Sequence, residues 1–313
     1  MNTPEFPRLQ QLIERARVLA SRESARIGLV HPCDALAVQA ARSMVEQGVA
    51  QPVLVGNRRL IEAAAEQAGV DAQDFEIVET EAAASAAAAR AVELARDGTL
   101  RALMKGSLHT DELMSAVVHR DKGLRTNRRI SHAFVFDLPR YHKLLALADC
   151  VVNITPDLKS KLDIVGNALD LLRRIGVQQP SAAVVAAVET VNPAIAATLD
   201  AQELVRLGRE GRWGDAGIEG PLGFDNAFSA QAARTKHIES GHAGDFDLML
   251  VPDLNAGNML YKSFVYVGGG ECAGLVLGAR VPIVLTSRAD SLTARVASVA
   301  LAAIASGEQA AAS

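Results

Sequence analysis

Four groups of residues in this chain place cations, small residues and hydrogen-bond donors where an apolar run gives way to a turn. The first is Lys105-Gly106-Ser107-Leu108-His109-Thr110, directly after the run RALM. Glycine lets backbone approach an anion, Ser107 and Thr110 offer hydroxyl donors, and a following helix start adds the positive end of its dipole. The same residues also suit an ordinary turn with Thr110 as helix cap, and both readings stand. The second group runs from His119 to Arg129 and holds Arg120, Lys122, Arg125, Arg128 and Arg129 against the single carboxylate Asp121. Guanidinium forks fit phosphate oxygens and can steer an anion, although charge runs also serve as solvated loops.

The third group is Pro252-Asp253-Leu254-Asn255-Ala256-Gly257-Asn258-Met259-Leu260-Tyr261-Lys262, which follows the apolar strand DLMLV. Asp253 and Asn255 suit helix capping, and Lys262 lies one turn beyond Asn258 on the same face. Gly257 inside a first helical turn costs about 1 kcal/mol against alanine, so a ligand or another chain segment must need the room. The fourth group is Thr286-Ser287-Arg288-Ala289-Asp290-Ser291, ahead of the last helix. Ser287 and the amides of a helix start make a donor nest, Arg288 adds fixed positive charge, and Asp290 or Ser291 caps the helix.

Other chemistries lack their residues. No G-x-x-x-x-G-K-[ST] occurs, and Gly268-Gly269-Gly270 lacks dinucleotide-fingerprint spacing, so NAD is unsupported. The histidines show no His-Glu-x-x-His or other ligand spacing, and no metal site is expected. His31 and His132 read as packed or hydrogen-bonded side chains. Asp225, in Glu219-Gly220-Pro221-Leu222-Gly223-Phe224-Asp225, either caps a helix or faces a ligand.

The elements that must hold these groups follow an alternating rhythm. Strands are predicted near 27–30, 52–55, 75–78 and 100–104, alternating with helices over 35–46, 59–68 and an Ala-rich 81–96, the mark of a parallel sheet covered by helices. SHAFVFDL and LALADCVVNI around a polar turn predict an antiparallel hairpin near 131–154. Helices over 158–175, 201–208, 225–236, 256–267 and 290–305 alternate with strands near 182–188, 216–219, 246–251, 274–277 and 281–285. The expectation is α/β: two lobes of parallel or mixed sheet flanked by helices, 1–130 plus 288–313 and 131–287, with ligands in the interlobe cleft.

Composition limits the partners. The 313 residues carry 32 Lys+Arg against 36 Asp+Glu, a net charge of −4, and only 4% aromatics, which excludes a nucleic-acid binder at the level of the whole chain. Hydrophobic residues at 49% exclude global disorder. Three well-separated cysteines, Cys33, Cys150 and Cys272, argue against a disulfide framework or structural zinc and for a reducing compartment. No secretory h-region or membrane-length apolar run is present, so a soluble, cytoplasmic protein is expected.

VPDLNAGNMLYK, VLGARVP and LTSRADS, in that order, together with EGPLGFDNA, resemble the phosphate acetyl/butyryltransferase family over nearly the whole chain. That resemblance implies a fold like that of the isocitrate and isopropylmalate dehydrogenases, working as a homodimer. It implies reversible transfer of a short acyl group between CoA and inorganic phosphate, giving acyl phosphate. CoA is a co-substrate, and no bound cofactor is implied. The family's Ser-Arg pair falls on Ser287 and Arg288, holding the thioester carbonyl and its developing charge, and its Pro-Asp-x-x-x-Gly-Asn-x-x-x-Lys block falls on Pro252, Asp253, Gly257, Asn258 and Lys262. CoA phosphates are expected on cations such as Arg125 and Arg128, and inorganic phosphate near Lys105, Ser107, His109 and Asn258. The acetyltransferase branch carries an aspartate seven positions past the serine; here that position is Ala294, leaving Asp290 or no carboxylate as base. Two alternatives are a non-catalytic CoA- or anion-binding homologue and an NAD-dependent decarboxylating dehydrogenase on the same fold.

Overall fold

A computed structural model of the protein describes residues 5–286 and 290–307. In chain order the elements are α1 (Pro7–Ala20), β1 (Arg26–Val30), α2 (Ala35–Glu46), β2 (Gln51–Gly56), α3 (Arg58–Ala68), β3 (Glu76–Glu79), α4 (Ala84–Arg96), β4 (Ala102–Lys105) and α5 (Thr110–Val117). There follow β5 (Ser131–Asp137), β6 (Leu145–Ala148), α6 (Leu158–Arg174), β7 (Ser181–Val185), α7 (Ala196–Arg209), β8 (Gly217–Leu222), α8 (Phe224–Phe228) and α9 (Ala230–Thr235). The chain ends with β9 (Leu248–Leu250), α10 (Leu254–Tyr266), β10 (Glu271–Leu277), β11 (Ile283–Val284) and α11 (Leu292–Gly307). The chain divides into two compact units, residues 1–128 with 273–313 and residues 129–272.

The first unit's strands run in the order β3-β2-β1-β4-β11-β10. All neighbours from β3 to β11 are parallel, and β10 is antiparallel to β11. From β1 the chain moves outward to β2 and β3, then returns to place β4 on the other side of β1. The boundary between β1 and β4 is therefore a topological switch point, where the loops at the carboxyl ends diverge and leave a crevice. Residues 27–30 of β1 are buried, as parallel strands covered on both faces require. No element is anticipated before Ile27, yet residues 7–20 form α1, which packs on α11. Its buried residues, Leu9, Leu12, Ile13 and Ala16, have the i, i+3, i+4, i+7 spacing of an amphipathic helix, and Pro7 opens its first turn.

The second unit's strands run in the order β5-β6-β9-β7-β8, with β5 antiparallel to β6 and the remaining pairs parallel. The expected hairpin is thus present. On one face of β5, His132, Phe134 and Phe136 alternate toward α10, where Phe134 stacks on Tyr261 at 4.2 Å between centroids and Phe136 meets Phe264 edge-on at 5.3 Å. The helix expected over 225–236 is two short ones, because Ser229 takes an extended conformation and its Oγ accepts from the Ala232 amide, starting α9 afresh. No helix among the described residues is long and apolar enough to cross a membrane.

Candidate active site

In the first unit the turns after β1 and β4 cross. The amide of Gly106 donates to the Val30 carbonyl at 2.9 Å and that of Ser107 to the His31 carbonyl at 3.0 Å. A Cβ on Gly106 would run into the carbonyl oxygens of Val30 and His31, so the glycine is required by a neighbouring strand exit. Ser107 Oγ accepts from the Cys33 amide at 2.9 Å, and Lys105 Nζ lies over the turn, 3.3 Å from the Leu108 carbonyl. His31 holds a left-handed backbone with φ 53, and its Nδ1 lies 3.5 Å from Cys33 Sγ. Burial lowers the affinity of His31 for a proton, opposed by the charge of Glu112. Burial, then the charge of Asp34, pushes the Cys33 thiol up to about 11, so it is no thiolate nucleophile at neutral pH.

The helix after β4 starts one residue earlier than a Thr110 cap implies. His109 flanks it, with its amide held at 2.8 Å by the Glu112 carboxylate, and its side chain is exposed. At the other approach, Ser291 Oγ accepts from the Ala294 amide at 2.9 Å, which makes Ser291 rather than Asp290 the cap of α11. Arg295, in the first turn of α11, is 7% exposed, and its Nε donates to the Asp290 carbonyl at 3.3 Å. Lys105, Gly106, Thr286, Arg295 and Asp34 line one narrow crevice at the carboxyl ends of β1 and β4. Ser287 and Arg288 lie outside the described residues.

In the second unit the block 252–262 opens α10. Asp253 caps the helix, its Oδ1 accepting from the Ala256 amide at 3.0 Å. Gly257 is the buried residue of α10, and a Cβ there would stand 2.5 Å from the Asp149 carbonyl oxygen and 3.1 Å from Cys150 Cα. A chain segment therefore needs the room at Gly257. The adjacent Asn258 Nδ2 reaches the Cys150 carbonyl at 3.4 Å, whereas Lys262 is exposed.

The segment that α10 sits on is itself tightly organised. Asp149, 3% exposed, accepts from the amides of Val151 at 2.9 Å, Val152 at 3.0 Å and His132 at 3.0 Å, and from Asn153 Nδ2 at 2.6 Å. Asn153 Oδ1 accepts from Arg129 Nε at 2.5 Å, so the last cation of the basic run is an anchor rather than a free guanidinium. His132 is 1% exposed, its Nδ1 has no protein partner, and burial pushes its pKa down to about 4 against the pull of Asp149.

Upstream in the basic run, Arg120, Lys122, Arg125 and Arg128 expose their side chains, while Leu124 is buried and pins the loop. Asp225 lies inside α8 rather than at its cap position, and its carboxylate pairs with Lys236 at 3.1 Å. Among the described residues no group of three or more His, Cys, Asp or Glu side chains is placed to hold a metal.

The structure thus joins Lys105 with Thr286 and Arg295 in the first unit, and Asp253, Gly257 and Asn258 with the 149–153 loop in the second. Sequence reasoning missed Arg295, Asp149 and Asn153. Arg295 had a signal, being the sole charge in the helix LTARVASVALAAIASG. Asp149 and Asn153 had only their place just after the strand LALA.

Parallel strands that end in cations, glycines and capped helix starts define an α/β protein equipped to bind anionic small molecules at its sheet edges. The family described as "Phosphate acetyl/butaryl transferase" matches residues 9–90 and 81–303, and the chain belongs to that family. It is 45% identical over 300 residues to a phosphate acetyltransferase of Rhizobium meliloti, covering 96% of this chain and 95% of that one. It is 36% identical over 289 residues to a phosphate butyryltransferase of Clostridium acetobutylicum, covering 92% of this chain and 96% of the relative. Among solved structures it is similar to a branched-chain phosphotransacylase from Enterococcus faecalis, with a TM-score of 0.79, 26% identity, and coverage of 90% and 99%.

Proposed function

We propose that this chain is a phosphate acyltransferase that moves a short acyl group reversibly between coenzyme A and inorganic phosphate. The observation that carries the reading is the match along nearly the whole chain to acetyl- and butyryltransferases. A phosphate oxygen attacks the thioester carbonyl, a tetrahedral oxyanion forms, and its collapse breaks the C–S bond to leave acyl phosphate and CoA thiolate. Ser287 and Arg288 are assigned to the oxyanion through the family motif; losing one such donor typically lowers kcat by about 10²–10³. Lys105, Ser107 and Asn258 are assigned to phosphate, and Arg125 and Arg128, exposed on their loop, to the phosphates of CoA. The thiol leaves readily without a dedicated acid, since its pKa near 8.5 keeps a few per cent ionised at pH 7. Ala294, buried in the first turn of α11, offers no base, which is the one observation favouring a non-catalytic CoA-binding homologue. The dehydrogenase-like fold and a homodimer follow from the resemblance, a cytoplasmic location follows from the three well-separated cysteines, and all belong to the same reading.

The test is phosphate-dependent release of free thiol from acetyl-, propionyl- and butyryl-CoA by the purified protein. Release that requires phosphate, and that falls at least a hundredfold in Arg288→Ala, is expected. CoA binding with no turnover of any of the three would instead establish the non-catalytic homologue.

A further inference from the structure

We propose that His31 binds the attacking phosphate, its neutral imidazole donating a hydrogen bond from Nε2 to one phosphate oxygen; the assignment rests on the acyltransferase reading above. Three observations carry it. The first is where the residue stands. His31 leaves β1 with φ 53, and Pro32 follows it. A β-carbon is unfavourable in left-handed backbone, and a residue ahead of proline is steered toward extended φ, so glycine would sit here with least strain. A histidine kept at such a place points to a task for its ring.

The second is how firmly the residue is held. Its amide donates to the Val55 carbonyl at 2.8 Å, and its carbonyl accepts from the amides of Cys33 at 2.9 Å and Ser107 at 3.0 Å. The exits of β1, β2 and β4 thus fix its backbone and tie it to the turn that carries Ser107. Ser107 Oγ accepts from the Cys33 amide and keeps its hydroxyl hydrogen for the same anion. The third observation is the half-buried ring. Nδ1 lies 3.5 Å from Cys33 Sγ, whereas Nε2 has no hydrogen bond among the described residues and is not enclosed. Burial pushes the Cys33 thiol up to about 11, so it stays an S–H donor and favours the tautomer with hydrogen on Nε2. Burial also lowers the proton affinity of the ring. Of Asp34, Lys105 and Glu112 on the neighbouring segments, the Glu112 carboxylate is the group that opposes this. The imidazole is therefore neutral at pH 7. Such a donor orients a phosphate dianion without drawing off the charge that makes it a nucleophile.

Inorganic phosphate is the probe, with ionic strength held constant by NaCl. In nitrogen NMR of the wild type at neutral pH, His31 should show its hydrogen on Nε2, and phosphate should shift Nε2 more than Nδ1. His31→Gly, which takes the left-handed backbone without strain, should fold at least as stably as the wild type. It should nevertheless raise KM for phosphate by about tenfold or more and leave KM for acyl-CoA within about twofold. Cys33→Ala should move part of the His31 population to the other tautomer and raise the phosphate KM alone. The assignment is overturned if the His31 nitrogens ignore phosphate, or if His31→Gly keeps the wild-type phosphate KM. It is equally overturned if both KM values climb together, since that pattern marks a purely structural histidine. The NMR arm uses the wild type and decides the matter even if a variant fails to fold. A wild type whose Nε2 responds to phosphate but which turns over no acyl-CoA would leave the phosphate contact standing and remove the acyltransferase reading instead.

Discussion

Gly257 shows how one residue divides two explanations that its sequence position leaves joined. Glycine in a helical turn signals a need for space, and the Asp149 carbonyl 2.5 Å from a would-be Cβ shows that the chain uses it. Gly257→Ala is therefore expected to destabilise the protein by about 1–3 kcal/mol through overpacking, despite the roughly 1 kcal/mol gain in helix propensity. Urea unfolding measures it, and a neutral or stabilised variant with reduced turnover would mean a ligand needed the space after all. His132 makes a second prediction. Its folded pKa of about 4 lies below the unfolded 6.5, so the unfolded chain binds the extra proton first as pH falls. Stability is complete above pH 6.5 and is lost toward pH 4, by on the order of 3 kcal/mol. Asp149, whose carboxylate holds the His132 amide, pulls the other way, and the value near 4 already includes that pull. Unfolding midpoints at pH 7.5 and 5.0 should differ less in His132→Phe than in the wild type.

At the scale of elements, α10 and α11 each begin at a motif the chain's residues announce, and each is started by a side-chain cap. Asp253→Ala removes the bond to the Ala256 amide and should cost about 1 kcal/mol, whereas Asp253→Asn, still a competent cap, should be nearly neutral in stability. If Asp253→Asn unfolds like wild type but loses activity, Asp253 has a chemical task beyond capping; calorimetry and the thiol assay on the same sample separate the two. The caps, glycines and strand–helix alternation of these elements were legible in the residue order because each is a local effect. Asp149 was not, since its four donors come from the 151–153 turn and from β5, an arrangement that exists only once the hairpin has paired. The break at Ser229 and the buried setting of Arg295 are invisible for the same reason: both depend on what packs against them.

For the molecule as a whole, the alternating pattern foretold parallel or mixed sheet flanked by helices, and the strand pairings within each unit are of that mixed kind. The pattern gave no hint of α1, whose apolar stripe is short and mixed with Arg8, Arg15 and Arg17. Its burial against α11 ties the first segment of the chain to its last helix. Leu12→Ala, at a position 5% exposed, should cost about 2–5 kcal/mol in urea unfolding while leaving both KM values unchanged in whatever protein remains folded. A parallel change in KM would mean that α1 shapes the carboxyl ends of β1 and β4 through α11. Net charge of −4 with exposed cations over 120–128 predicts a KM for acyl-CoA that rises with ionic strength, and less steeply in Arg125→Gln/Arg128→Gln.

The contrast between the two motif-bearing helices bears on how such an enzyme diversifies. α11 is buried over residues 294–306, whereas α10 buries only Gly257 and leaves Met259 at 64% and Tyr266 at 71% exposure. Random mutagenesis should find the first nearly frozen, because almost any exchange there disturbs packing on several sides at once. The second is free to drift at its exposed positions, such as Met259 and Tyr266, while Tyr261 and Phe264 stay held against β5. Selection for a new acyl group should therefore collect its tolerated changes along α10 and the loops of the second unit, while the Arg295 segment stays fixed across descendants.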